Sequence, residues 1–340
     1  MHRELATSEL GSFPSLDWSD IAPSLTTPVR SSLEKVLETQ DGGDLSLQDS
    51  YTLANSGGDD LLGLLVAANL LRAELVGNIV TYVVNRNINF TNVCFVGCKF
   101  CAFSRGPREA DSYFHSLDDM ARKAAEAWEL GATEVCIQGG LPRDLPKFYY
   151  RDILRAVKNA VPRMHIHAFS PMEIAYGVEL TGMPLAEYLS MLRDIQSETG
   201  GFTEFVPLGF VHQNTLLFQQ GLARSGPTLA EHLKVHALAR ILLAGSINNL
   251  QVSWVKLNRQ LSQLCLHAGA NDYGGTLMEE NISREAGATA GQYTSPEDFR
   301  MLILEAGRIP AERSTTYSRI NIKAPVDEFT LEQTPEAEFA

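Results

Sequence analysis

The regular alternation of β-rich runs with amphipathic helical stretches, which starts near residue 80, limits the fold more than any other feature of this sequence. Strands are predicted at 83–90, 134–138, 165–169, 202–206 and 249–254, with a short one near Asn271. Helices are predicted between them, near 117–130, 148–160, 184–197, 228–243 and 257–268. Repeated βα units predict a parallel sheet, open or closed into a barrel, with the chemistry at the carboxyl ends of the strands.

The rest of the chain is organised around this core. Residues 1–26 are polar and contain Pro and Ser, which predicts a loosely ordered N-terminus. A helical lead-in is predicted over 27–78, with Thr27 as the N-cap and Pro28 as the first helical residue. The βα core then covers 79–322, and 323–340 form an acidic tail. The apolar run from Leu61 to Leu71 is too short to span a membrane and predicts a buried helix.

Charge and cysteine usage exclude several classes of function. The 340 residues carry 28 Lys and Arg against 41 Asp and Glu, a net charge of −13. Nucleic-acid and anionic-membrane surfaces need clustered cations, so neither partner is expected. Three of the five cysteines fall within eight residues, which is unlike a disulfide framework. No basic start followed by an apolar stretch opens the chain, so a cytoplasmic protein is expected.

The three clustered cysteines directly follow the first predicted strand. Cys94, Cys98 and Cys101 are spaced so that one loop can bring three thiolates to three irons of a [4Fe–4S] cluster. The fourth iron is then open to a small chelating ligand. Gly97 allows a tight turn, and apolar cover is offered by Phe95, Phe100 and Phe103. A zinc site is the alternative, with a fourth ligand such as His115, whereas a disulfide would leave one thiol over.

The cysteine loop resembles the signature of the radical S-adenosylmethionine (SAM) superfamily, including Phe100 before the last cysteine. The resemblance implies a (β/α) barrel in which the methionyl amine and carboxylate of SAM chelate the open iron. It also implies that one electron from the cluster splits SAM into methionine and a 5′-deoxyadenosyl radical.

The flanking segments are more specific than the cysteines. Over about residues 50–320 the chain resembles the tyrosine-cleaving 4-hydroxyphenyl transferases of deazaflavin (FO) biosynthesis, through segments 85–92, 101–107, 138–141, 165–174, 200–209, 251–256 and 269–284. This implies hydrogen abstraction from L-tyrosine, loss of 2-iminoacetate and addition of the 4-hydroxybenzyl group to 5-amino-6-(D-ribitylamino)uracil. FO synthase subunit 1 and a low-potential ferredoxin or flavodoxin are the implied partners. The menaquinone-pathway enzymes that make or cyclise aminofutalosine are the alternative.

Several residues receive roles from the resemblance. Gln138, Gly139 and Gly140 end the second strand, and by resemblance they hold the amino group of SAM, although a plain βα turn would use the same glycines. Phe100 and Ser170 are assigned to the cofactor in the same way. Cys136 and Cys265 lie in a strand and a helix pattern, where ordinary buried cysteines are expected.

The substrate candidates are polar residues in or just after the strands. Asn85, Asn87 and Asn89 alternate, so they face one side, where they could bind a uracil edge and ribityl hydroxyls or form an internal hydrogen-bond network. His165 and His167 alternate similarly, and one is expected to face the substrate. Lys256 could pair with a carboxylate or simply be exposed. The remaining candidates are Gln251, Ser253 and Asn271.

One departure from the family pattern concerns the middle of the chain. The helix predicted at 184–197 runs straight into the 202–206 strand, whereas the family pattern predicts about two further βα units near residues 190–198. The barrel is therefore expected to be incomplete, with about six βα units. A shortened, inactive homologue is the third possibility, because lost strands expose edges and apolar faces.

Overall fold

The computed structural model describes residues 5–41, 45–98, 101–169, 203–245, 247–317 and 320–322. Phe100, Ser170, the predicted 184–197 helix and the expected break near 190–198 lie outside these ranges, as does the predicted tail.

Helices form the first part of the described chain, and from residue 79 onward they alternate with strands. Their bounds are α1 Thr7–Ser12, α2 Trp18–Ile21, α3 Thr27–Thr39, α4 Leu47–Ala54, α5 Asp59–Val76, α6 Leu117–Glu129, α7 Tyr149–Ala160, α8 Leu216–Gln219, α9 Leu229–Leu242, α10 Arg259–His267, α11 Ile282–Glu285 and α12 Pro296–Glu305. Short 3₁₀ turns lie at Phe13–Ser15, Ala22–Ser24 and Trp254–Lys256.

The strands form two sheets that share one long extended segment. Their bounds are β1 Ile79–Val83, β2 Asn85–Asn89, β3 Glu134–Gln138, β4 His165–His167, β5 Asp272–Gly275, β6 Ile309–Arg313 and β7 Ile320–Ile322. One sheet has the order β5-β1-β6-β7 and the other the order β2-β3-β4. All neighbouring pairs are parallel except β6 and β7. The α/β class with parallel sheets is thereby confirmed.

The six predicted strand positions lie side by side in the expected parallel order. Beyond β5, single parallel bridges join Gln251 to Asp272 and Phe205 to Leu250. The 202–206 and 249–254 runs are therefore present as isolated bridges rather than as full strands. Among the described residues, this row of neighbouring strand positions ends at β4 on one side and at Phe205 on the other. No pairing joins these two ends, so the described residues form no closed barrel. The prediction missed β6 and β7.

The helical lead-in packs against the core. In α5, which the sequence predicts as a buried helix, most residues between Leu61 and Arg72 are buried, and α9 packs against it. The N-cap of α3 is Thr26 rather than Thr27, so Pro28 is the second helical residue; both positions suit proline because neither N–H has an intrahelical partner. Residues 7–24 form short helical turns with Leu10 and Phe13 in the core, where composition predicts loose order.

Strand alternation divides apolar from polar side chains. Val135 and Ile137 of β3 are fully buried in the hydrophobic core that the helices cover. Glu134, Cys136 and Gln138 alternate with them and face the other side, which we call the interior. The register pairs these residues with Asn85, Asn87 and Asn89 of β2, as the alternation predicts.

Candidate active site

The cysteine loop is held to the carboxyl end of β2 by backbone hydrogen bonds. The amide of Cys94 donates to the Arg105 carbonyl at 3.0 Å, and the amide of Arg105 donates to the Asn92 carbonyl at 2.8 Å. The amide of Cys101 donates to the Cys98 carbonyl at 3.0 Å. Gly97 has a φ of 65°, a left-handed conformation that suits the predicted tight turn. The loop geometry therefore rests on the main chain.

The glycine pair after β3 packs directly against this loop. A Cβ built on Gly140 would lie 2.2 Å from the Val93 carbonyl oxygen, and one built on Gly139 would lie 2.6 Å from the Phe90 ring. The Gly140 amide donates to the Thr91 carbonyl at 2.7 Å. Both glycines are thus required for close approach between the turn and the loop, whatever else they contact.

Arg105 ties the end of the loop to two neighbouring segments. Its guanidinium contacts Asp111 at 2.7 Å and Glu285 at 3.1 Å, and donates to the Ala102 carbonyl at 2.7 Å. The hydrogen bond with Asp111 raises the pKa of Arg105 and lowers the pKa of Asp111. The Arg105 side chain therefore stays charged and fastens the loop.

The three loop thiols are free and half-buried. Burial raises the pKa of Cys98, and the neighbouring Cys94 and Cys101 raise it further. Within the described residues these thiols are not gathered within 4.8 Å of one another, as ligands of a single ion would be. Three thiols on one loop are compatible with three corners of an iron–sulfur cluster. Phe103 is buried beside them, whereas Phe95 is 38% exposed.

A cavity of about 510 Å³ opens next to the loop. Its wall carries Asn89 from β2 and Phe103 and Arg105 from the loop region, and the other lining residues include Asn92, Tyr113, His115, Lys123, Glu279, Asn281 and Gln292. Burial lowers the pKa of His115 and raises the pKa of Tyr113 to about 12, so both side chains are neutral near pH 7. The cavity is lined by amides and charges at the carboxyl end of a parallel strand.

The β2 asparagines are hydrogen-bonded within the protein. Asn85 Nδ2 donates to Glu134 Oε1 at 2.9 Å, while its Oδ1 accepts from the Leu277 amide at 2.8 Å. Asn87 Nδ2 donates to Asn89 Oδ1 at 3.2 Å. Asn89 Nδ2 donates in turn to the Gln138 carbonyl at 3.2 Å. The internal network foreseen as an alternative is present, and Asn89 alone among the three lines the cavity.

The two β4 histidines are exposed, and His167 lies near a carboxylate. His167 Nδ1 is 4.0 Å from Glu134 Oε1 and its side chain is 59% exposed. The register sets His165 opposite Glu134 and His167 opposite Cys136.

The later candidates lie apart from the cysteine loop. Asn271 is buried and accepts from Arg240 and from the Leu250 amide, each at 2.8 Å, which makes it a structural link. The half-buried Gln251 packs against Gly274, and Ser253 is buried. Lys256 donates to Ser283 Oγ at 2.9 Å, and burial lowers its pKa.

Lys256 lines a second cavity of about 930 Å³ between the N-terminal helix and α10, which contains none of the three loop cysteines. Lys256 is not among the residues that line the cavity beside the cysteine loop. As expected, Cys265 is fully buried, while Cys136 is half-buried.

Sequence reasoning missed a charged cluster at the amino-terminal end of the interior. Arg313 Nε contacts Asp272 Oδ2 at 2.5 Å, and Arg313 Nη2 contacts Glu204 Oε2 at 3.1 Å. Tyr317 donates to Glu204 Oε2 at 2.5 Å, and Thr81 also donates to Asp272. We call Glu204, Asp272, Arg313 and Tyr317 the floor cluster. The available signal was a set of charged residues inside otherwise apolar β-rich runs.

Two family models match consecutive parts of the chain. The model of the radical SAM superfamily matches residues 88–195, and the model described as the CofH/MqnC C-terminal region matches residues 199–326. They meet at 195–199, close to where the sequence predicts missing units. Among solved structures, the fold is similar to the FeFe-hydrogenase maturase HydG from Carboxydothermus hydrogenoformans (TM-score 0.57, 15% identity, 92% of this chain and 87% of that one). The chain is a member of the radical SAM superfamily, and membership implies a [4Fe–4S] cluster and SAM.

Curated relatives narrow the family further. The 5-amino-6-(D-ribitylamino)uracil–L-tyrosine 4-hydroxyphenyl transferase of Methanothermobacter thermautotrophicus is 37% identical, with 86% of this chain and 99% of that protein aligned. The Methanopyrus kandleri protein of the same name is 39% identical, with 75% and 88% aligned. The chain therefore belongs to this transferase family. FO synthase of Mycobacterium leprae is 41% identical over 79% of this chain, which spans only 40% of that longer protein.

The length of the alignment can be compared with the number of residues that it includes from this chain, which tests the expected internal gap. The Methanothermobacter alignment runs over 362 positions but takes in 86% of the 340 residues here, or about 292, so about 70 aligned positions have no counterpart in this chain. This agrees with the prediction that about two βα units are missing, while their place in the fold stays a prediction. Within the described ranges, no helix has the length and apolar character needed to cross a membrane.

Proposed function

We propose that this chain is a radical SAM transferase of FO biosynthesis. It would break the Cα–Cβ bond of L-tyrosine and join the 4-hydroxybenzyl group to 5-amino-6-(D-ribitylamino)uracil. The observation that carries the proposal is the alignment with 99% of the Methanothermobacter transferase, cysteine loop included. FO synthase subunit 1 would act as a separate partner on the product, and the cytoplasm is the expected setting.

Cys94, Cys98 and Cys101 are the proposed ligands of the cluster, with the fourth iron left to the amine and carboxylate of SAM. When bound, the cluster supplies the electron that splits SAM, and a low-potential ferredoxin or flavodoxin would deliver it. The chain's own residues set the geometry. The Gly139–Gly140 turn lies against the loop backbone, and the buried rings of Phe90 and Phe103 keep water from this side of the loop.

The 510 Å³ cavity is the proposed binding space for the ribitylaminouracil. A pyrimidine and a polyol chain need several hydrogen-bond donors and acceptors, and the cavity wall supplies amides from Asn89, Asn92, Asn281 and Gln292. Burial opposes the charged form of Glu279, but hydrogen bonds from Arg86 and Lys123 outweigh it and lower its pKa. Glu279 would thus be ionised and held in place by two cations beside the amides.

The test is an anaerobic assay of the reconstituted protein with SAM, dithionite, tyrosine and 5-amino-6-(D-ribitylamino)uracil. We expect 5′-deoxyadenosine and an adduct whose mass equals the uracil plus a 4-hydroxybenzyl group. Cys98→Ala should abolish both products because it removes one proposed cluster ligand. Cys265→Ala, which changes a fully buried cysteine of α10, is the matched control and should retain them.

Three other outcomes are informative. Product formation only with futalosine precursors would assign the chain to the menaquinone-pathway enzymes that share the CofH/MqnC model. A normal iron content without 5′-deoxyadenosine would support the inactive shortened homologue. Zinc without iron after reconstitution would contradict the cluster assignment itself.

A further inference from the structure

We infer that Glu134, Cys136 and His167 form a second metal site, which takes one zinc-type divalent cation in the interior. The three side chains come from the neighbouring strands β3 and β4. A carboxylate oxygen, a thiol sulfur and a ring nitrogen all lie within 4.8 Å of one another, and no other such triad occurs in the described parts of the chain. This site is separate from the cysteine loop and does not depend on the proposed transferase activity.

The distances are close to those of a tetrahedral zinc site. Zinc binds sulfur at about 2.3 Å and nitrogen or oxygen at about 2.0–2.1 Å, which puts ligand atoms roughly 3.3–3.6 Å apart. Cys136 Sγ is 3.4 Å from Glu134 Oε1. His167 Nδ1 is 4.0 Å from the same oxygen, and its side chain is 59% exposed, so it has room to turn inward. The ring nitrogen of His167 and the sulfur of Cys136 also lie within 4.8 Å of each other, so the imidazole must move inward to complete the triad.

Outer hydrogen bonds already orient two of the three ligands. Asn85 Nδ2 donates to Glu134 Oε1 at 2.9 Å and to Cys136 Sγ at 3.4 Å. Thr315 Oγ1 donates to Glu134 Oε2 at 2.5 Å. Metal ligands are commonly held in place by such partners. Three protein ligands leave a fourth position for water or for a heteroatom of a bound molecule.

The charge of the interior favours a cation at this place. Glu134 is only 3% exposed and lies near the floor cluster, where Glu204 and Asp272 share the single guanidinium of Arg313. A divalent ion would displace the Cys136 thiol proton as it binds, because cysteine ligates metals as the thiolate. The ion would balance the carboxylate and the thiolate together.

The experiment measures metal content rather than activity. Full-length protein with Cys94, Cys98 and Cys101 all changed to Ala cannot form the proposed cluster, so it reports the second site alone. After equilibrium dialysis against zinc, we expect about one bound zinc per chain, and cobalt(II) should give the absorption band of a thiolate ligand. Adding His167→Ala or Cys136→Ser should weaken zinc binding by at least about 100-fold, because each removes a direct ligand.

His165→Ala is the matched control, since this histidine is also exposed and lies on the same strand outside the triad. It should leave zinc binding unchanged. Equal zinc affinity in the His165→Ala and His167→Ala proteins, or no stoichiometric zinc at all, would overturn the inference. Both histidines are exposed, so neither substitution opens a cavity in the core. If the triple-alanine protein does not fold, the same pair is measured in the reconstituted chain, as zinc bound in addition to iron.

Discussion

The two ends of the interior are built by different means. At the carboxyl end of β2, the cysteine loop is fixed mainly by backbone hydrogen bonds and by two glycines that allow close approach. At the amino-terminal end, the floor cluster is fixed by charged side chains, with Asp272 fully buried and Arg313 only 4% exposed. The loop thiols are half-buried, whereas Asp272 and Arg313 at the centre of the floor cluster are buried.

This difference predicts that stability depends mainly on the floor cluster and that ligand binding depends mainly on the cysteine loop. Main-chain contacts hold the loop while leaving its side chains available for ligands. In a buried charge network the side chains are already paired with one another. Loss of one partner leaves an unpaired buried charge, which lowers the free energy of unfolding. We therefore expect changes in the floor to reduce stability most, and changes at the loop to affect cofactor loading more than stability.

The largest effect is expected from Arg313→Ala. It leaves the buried Asp272 without its cationic partner and Glu204 without its ion pair. Removing one partner of a buried ion pair costs about 3–5 kcal/mol of unfolding free energy. Urea unfolding of the full chain measures this loss. Arg122→Ala, at an exposed helical ion pair, is the control and should change stability little; comparable losses in the two variants would refute the distinction.

The second effect is expected from Gly140→Ala. The new Cβ would meet the Val93 carbonyl oxygen at 2.2 Å, so the turn and the cysteine loop must move apart. Overpacking of this kind costs about 1–3 kcal/mol, and we also expect lower iron content after reconstitution. Gly11→Ala in α1, where no atom lies within 4 Å of the new Cβ, should have neither effect. Full iron loading in the Gly140→Ala protein would show that the close approach is dispensable.

Local patterns in the sequence were sufficient to predict this loop and the alternation around it. The cysteine spacing, the glycine pair after β3 and the period-two asparagines of β2 are all short-range signals, and the register of β2 with β3 confirms the asparagine face. The parallel order of the six strand positions followed from the same βα alternation.

The floor could not be predicted in this way because its contacts join distant parts of the chain. Arg313 reaches Asp272 and Glu204, which precede it by 41 and 109 residues. No periodic pattern specifies such pairs, since each depends on which strands become neighbours. The proposed metal site of Glu134, Cys136 and His167 could not be predicted for the same reason, because the β3–β4 register brings His167 opposite Cys136.

A smaller effect is expected from Arg105→Ala at the loop. The substitution removes contacts with Asp111 and Glu285 and the hydrogen bond to the Ala102 carbonyl. Because Asp111 is largely exposed, stability should fall only slightly. The loop end is no longer fastened, so iron content and dithionite-dependent SAM cleavage should fall more clearly. Arg284→Ala, whose partner is also Glu285, separates loss of the loop contact from loss of a nearby charge.

The smallest expected effect is a difference between the floor cluster and the cysteine loop in how the free energy of unfolding depends on pH. Burial and the nearby Asp272 raise the pKa of Glu204 above its ordinary value of 4.5. Between the ordinary and the raised value the folded state binds more protons than the unfolded state, so this group's stabilising contribution is lost as the pH rises. Glu204→Gln removes this titrating group. The unfolding free energy of the variant minus that of the wild type should therefore increase as the pH rises above 4.5.

Asp111 at the loop should behave in the opposite sense. Its hydrogen bond from Arg105 lowers its pKa below 3.8, so its contribution is present above that value and lost as the pH falls through the lowered pKa. Asp111→Asn should therefore lose stability relative to wild type as the pH rises through this acidic range. Urea unfolding of both variants across acidic to neutral pH measures the two slopes. Slopes of the same sign would mean that the floor cluster and the cysteine loop do not differ in how they hold charge.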